Sequence, residues 1–225
     1  MHLASDDGET VASELQLERN RLSESVWVEL LHNGLTFDLK GLEPGDADEI
    51  SAIGFRFDFD EKLHPSEFEA LRIIPGEHLI SGKASMPVVK GMIALARDLT
   101  HHFESIAGIF WPPSQSVIGR RFFESISTAW LDGGAFPALG LTAFNETSDG
   151  ALVSVGLDFW VGQEVRIEKP LSDDKVAATR LAVRIINHVI LIGGISEAER
   201  ITGPDRIPLI MRPSRNQKFI RVWPE

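Results

Sequence analysis

Cysteine and tyrosine are both absent from the 225 residues. Without cysteine there is no thiol nucleophile, no disulfide frame and no thiolate metal ligand. Without tyrosine no phenol can serve as acid or base. Long apolar runs are missing too. The densest, Val183 to Ile195, is broken by Arg184, Asn187 and His188, short of the ~20 residues a membrane helix needs. The first twenty residues are polar and acidic, with no basic stretch leading into an apolar core, so they do not read as a secretory signal. These absences lead to the expectation of a cytoplasmic protein with no membrane span.

What the chain does have is core material and acid. Hydrophobic residues make up 43%, with thirteen Phe and five Trp, enough for a substantial α+β core. The net charge of −11 sits in one half. Residues 1–112 hold 20 Asp/Glu against 9 Lys/Arg, whereas residues 113–225 hold 13 of each. An acidic half repels phosphate, which disfavours nucleic acid as a partner and favours a basic protein. The closing stretch is locally basic, with Arg200, Arg206, Arg212, Arg215, Lys218 and Arg221 against Asp205 and Glu225. It reads as an anion-binding patch, as solvated strand faces, or as cations paired with the protein's own acidic half.

Residues 1–22 read as a mobile acidic lead-in, and 23–225 as one α+β domain with halves at 23–112 and 113–225. Val26 to Leu31 and Leu35 to Leu39 form a predicted hairpin around Asn33-Gly34. Ile53 to Asp60 alternates Ile53, Phe55, Phe57 and Phe59 with Gly54, Arg56, Asp58 and Asp60, which is the period of a strand wet on one side. Leu71 to Ile74 and His78 to Lys83 read as extended around Pro75-Gly76. Three helices are expected: Pro87 to about Glu104, Ser114 or Ser116 to Leu131, and about Ser172 to Ile192. The last is apolar nearly all round, which predicts cover on more than one side. Leu139–Asn145 and Ala151–Leu157 form a second hairpin around Thr147–Gly150, and Ile207–Met211 and Phe219–Trp223 close the chain as strands. The architecture expected is a mixed, mostly antiparallel sheet with three main helices in two βα-type halves.

Candidate chemistry is sparse. Gly76 to Ala84 glances at a phosphate loop, but five residues separate its glycines and Ala follows the Lys. His101 and His102 are neighbours on a helix, about 100° apart, so their rings cannot chelate one ion. Ser172 and Lys175 have a serine–lysine spacing without the rest of that machinery, and Ser172 serves as a helix cap. The remaining candidate is a groove: Trp160, then Glu164 and Arg166 on one face of an extended segment, with Arg212 and Arg215 from the basic tail. No cofactor and no metal site is expected.

Ala107-Gly108-Ile109-Phe110-Trp111 before a helix, Phe136–Leu139, Val155-Gly156-Leu157, Gly162–Ile167 and a long helix ending in Gly193-Gly194 together resemble a bacterial family of domains of unknown function, catalogued under four-two-six-one. The resemblance spans about residues 85–200. It implies a cytoplasmic bacterial α+β domain, with some relatives associated with toxin–immunity gene neighbourhoods, and it brings no catalytic residues. The function expected is therefore non-enzymatic binding, of an immunity-like kind, with a basic protein as partner; a homodimer is compatible with it. The alternative is a hydrolase-type enzyme assembled from distant residues such as His101, Glu164, Arg166 and Arg212.

Overall fold

The computed structural model describes residues 27–42, 46–60, 62, 64 and 67–225; the expected lead-in over 1–22 lies outside them. Two compact units divide the chain: residues 1–50 with 66–83, and residues 51–65 with 84–225. In chain order the strands are β1 Trp27–His32, β2 Leu35–Lys40, β3 Phe55–Phe57, β4 Arg72–Pro75, β5 Gly108–Trp111, β6 Ser116–Gly119, β7 Ala143–Glu146, β8 Leu152–Val155, β9 Glu164–Ile167, β10 Glu199–Thr202, β11 Pro208–Pro213 and β12 Phe219–Pro224. The long helices are α1 Met86–His102, α2 Arg120–Leu131 and α4 Lys175–Ile192, with the single turn α3 at Asp158–Val161. The class is α+β with mostly antiparallel sheets, as the periodicities indicate. Among the described residues no helix is long and apolar enough to cross a membrane.

In the smaller unit β1 and β2 pair as the expected hairpin, and β4 adds on the far side of β2. Asn33 and Gly34 both take positive φ, 50° and 79°, the geometry a two-residue turn needs to match strand twist. Phe37 and Leu39 are its buried side chains. The expected extended segment over 78–83 is instead a 3-10 helix, Glu77–Gly82.

The larger unit holds two sheets. In one, β6 lies between β3 (parallel) and β5 (antiparallel). The other runs β10-β11-β12-β9-β8-β7, antiparallel except for the parallel pair β12/β9. One face of this sheet is sealed: Val165, Ile167, Leu209, Met211, Ile220 and Val222 are wholly buried. α4 packs on β8 and β9, burying Ala178, Leu181, Ala182, Ile185, Ile186 and Val189.

Several expectations are corrected. The strand over 53–60 contracts to three residues, because Asp58 turns left-handed (φ 50°) and ends the pleat; Phe55, Phe57 and Phe59 are half-buried, and so is Arg56. The second helix begins at Arg120, not at Ser114 or Ser116. Ser116–Gly119 form β6, buried at all four positions, and a short run buried all round carries no period to tell strand from helix. Leu139 does not open a strand: Gly140 (φ 106°) bends the chain, and the strand starts at Ala143. Asp174, not Ser172, caps α4, accepting from the N–H groups of Val176 (2.9 Å) and Ala177 (3.1 Å). Ser172 Oγ donates to the Gly150 carbonyl at 2.7 Å, tying the helix approach to the hairpin turn. α4 is covered on one side only by the described residues. Ile186 is buried, Val183 and Ile190 are half-buried, and Leu191 is 84% exposed.

Candidate binding face

Glu164 opens β9, and its carboxylate folds back over the turn that precedes it. β8 ends at Val155, and Gly156 takes φ 89° with a Cβ position 2.8 Å from the Pro113 backbone, so only glycine passes without strain. The chain then enters α3, a turn too short to satisfy its own leading N–H groups. Glu164 supplies the acceptors. Oε1 receives Gly156 N–H at 2.7 Å and Asp158 N–H at 3.3 Å, and Oε2 receives Leu157 N–H at 3.3 Å and the Ser154 hydroxyl. Ser154 Oγ accepts in turn from Val165 N–H at 2.8 Å. Burial pushes the Glu164 carboxyl up to about 7, helped by the charge of Asp158, while its hydrogen-bond donors pull the other way. A carboxyl that titrates near neutrality has the acidity general acid–base work calls for. Here its lone pairs are committed to the fold.

Trp160 turns away from Glu164 and Arg166 into an aromatic cluster. It stacks on Trp111 (5.9 Å between ring centres, 26° between planes) and meets Phe136 edge-on at 5.0 Å, with Trp130 and Phe159 completing the group. Such edge-to-face packing suits aromatic quadrupoles and marks a core. His101, at the end of α1, has the His102 ring as its neighbour at 5.8 Å. No hydrogen bond or ion pair joins His101 to Glu164, Arg166 or Arg212. Arg120 pairs with Glu124 one helical turn on, at 3.1 Å, as expected of a helix surface.

Arg166 and Arg212 do share a surface, and Arg221 joins them. Strand alternation places Phe219, Arg221 and Trp223 of β12 opposite in facing to the buried Ile220 and Val222. Across the ladder Arg221 is paired with Arg166 on β9 and with Arg212 on β11. Three arginines therefore stand in one row over three adjacent strands. Like charges at strand spacing repel each other by on the order of 1 kcal/mol per neighbouring pair. The row is held partly by local acids: Arg166 binds Asp149 and Glu168 (2.9 Å), and Arg221 binds Glu168 at 2.5 Å. The Arg166 guanidinium also helps to hold the Asp149 carboxyl below its usual range, after the larger effect of the Thr147 hydroxyl. Arg212 and Arg221 both lie over the Trp223 indole, 5.8 and 5.7 Å from its centre.

Arg215, at the β11–β12 turn, borders this row. Two shallow concavities of about 630 and 580 Å³ adjoin at Arg221. The first is lined by Arg166, Ser214, Arg215, Asn216, Phe219 and Arg221, and the second includes Glu168 and Trp223. The expected groove thus gathers Arg166, Arg212 and Arg215, keeps Glu164 at its margin as a turn anchor, and leaves out Trp160. Arg221, expected only as part of the basic closing stretch, joins it, and Glu168 and Trp223 are additions the sequence does not single out. The alternation of Phe219, Arg221 and Trp223 is legible in the sequence, but which strands flank it is not. No family model matches the chain, and neither does any curated protein or solved structure.

Proposed function

We propose that this is a cytoplasmic bacterial, non-enzymatic binding protein whose partner sits on the open face of the six-stranded sheet. One observation carries the proposal: the three-arginine row. Aligned like charges cost stability in the free protein; Asp149 and Glu168 offset Arg166 and Arg221, and a bound partner that neutralises Arg212 offsets the rest. The concavities beside the row are broad and shallow, which suits a partner surface better than an enclosed small molecule. Arg and Trp are also the residue types that dominate binding energy at interfaces. The enzyme alternative would have to recruit Glu164, whose lone pairs are already taken by Ser154 and the backbone at residues 156–158. An immunity-like role is the specific form of this proposal, in line with the resemblance over residues 85–200.

A photo-reactive side chain in place of Asn216, beside the row, should cross-link a discrete partner in bacterial cells making the full chain. The same group in place of Leu191, on the exposed side of α4, should not. Cross-linking at Leu191 and none at Asn216 would overturn the assignment of the face.

A further inference from the structure

The charge on the open face decides what can occupy it. Arg166, Arg200, Arg212, Arg215 and Arg221 are met there by the carboxylates of Asp149, Glu168 and Glu225. Among the described residues Arg212 and Arg215 have no carboxylate partner, so the unpaired positive charge of this face sits on β11 and its turn to β12. This is the reverse of the acidic first half of the chain, and it calls for an anionic occupant rather than a basic one.

We infer that the arginine row docks an acidic segment of a protein partner, read through its Asp and Glu side chains; the inference rests on the open sheet face being the binding surface. The Arg212 guanidinium lies over the Trp223 ring, 5.8 Å from its centre, and its N–H groups are free to make two parallel N–H···O bonds to a carboxylate. Arg215 lines the adjoining concavity and supplies further donors. A polynucleotide fits less well. Its bases need free aromatic faces to stack on, whereas the Trp223 ring is already engaged by two guanidinium groups. The net charge of −11 also opposes the approach of a polyphosphate at long range. A protein segment carrying a few carboxylates brings its charge only to the face.

The test uses the full chain and three dye-labelled probes: a poly-glutamate dodecapeptide, an oligothymidylate of equal charge, and a poly-lysine dodecapeptide, followed by fluorescence anisotropy. Poly-glutamate should bind saturably and weaken as salt rises from about 0.05 to 0.5 M. The double variant R212E/R215E should lose it by about tenfold or more, and Lys218→Glu by less, with neither variant melting below the wild type. Glu164→Gln should bind as the wild type does. Three results would overturn the inference: no saturable poly-glutamate binding, binding indifferent to both arginine and lysine variants, or oligothymidylate held more tightly through the same residues. If the Asn216 cross-link persists while poly-glutamate fails, the face stands and only the acidic occupant is wrong. If both fail, the face itself is wrong.

Discussion

The carboxyl of Glu164 makes the stability of this protein depend on pH in a direction opposite to that of an ordinary paired carboxylate. Its ordinary value is 4.5, and burial raises it to about 7 in the folded chain. The folded state therefore holds this proton more tightly than the unfolded one. The stabilisation is fully present below 4.5 and is lost as pH rises through 7. The gap between the two values converts to about 3 kcal/mol, of which about 2.5 kcal/mol disappears between about pH 5 and pH 8. The perturbation is Glu164→Gln, which keeps the side-chain shape and cannot titrate. Urea midpoints of wild type and variant should be measured at intervals over that range, and the difference between the two curves removes the contribution of the seven histidines. Wild type should lose about 2.5 kcal/mol relative to the variant on going from pH 5 to pH 8. Parallel curves would refute the burial argument. A difference of opposite sign, with wild type losing ground on acidification, would mean that the Ser154 hydroxyl and the backbone N–H groups outweigh desolvation.

Three further outcomes follow from the packing. Gly156→Ala places a methyl group 2.8 Å from the Pro113 backbone at a φ of 89°; it should destabilise by about 1–3 kcal/mol and disturb the turn that Glu164 anchors, read from the urea midpoint and its pH slope. Asp174→Ala should cost about 1 kcal/mol by removing the cap of α4, seen in thermal unfolding. Ile220→Ala, at a wholly buried position in the strand that joins β9 to β11, should cost about 2–5 kcal/mol, and an unchanged denaturant midpoint would contradict the sheet assignment.

Local patterning made much of the fold readable. Asn33-Gly34 and Thr147–Gly150 close the two hairpins they signal, and the 3.6-residue stripe of α1 sits within a residue or two of its expected bounds. Readability fails where burial is complete on all sides, as at Ser116–Gly119, or where one residue leaves the pleat, as at Asp58. The face was half legible for a related reason. That Glu164 and Arg166 point the same way needs only a period of two. That Arg166, Arg221 and Arg212 align needs the order β9-β12-β11, which joins residues far apart in sequence and leaves no local trace. Trp160 misled because an aromatic beside glycine reads equally well as groove or core.

The parallel contact between Phe219–Val222 and Glu164–Ile167 also governs the order of assembly. The hairpin of β7 and β8 and the first edge of β9 can form from neighbours in sequence. The far edge of β9 stays unsatisfied until synthesis has passed Val222, with the whole of α4 already made. The join is paid for with a long loop closure, so the last step of folding should be slow, and until it is complete β9 offers a bare strand edge to other chains.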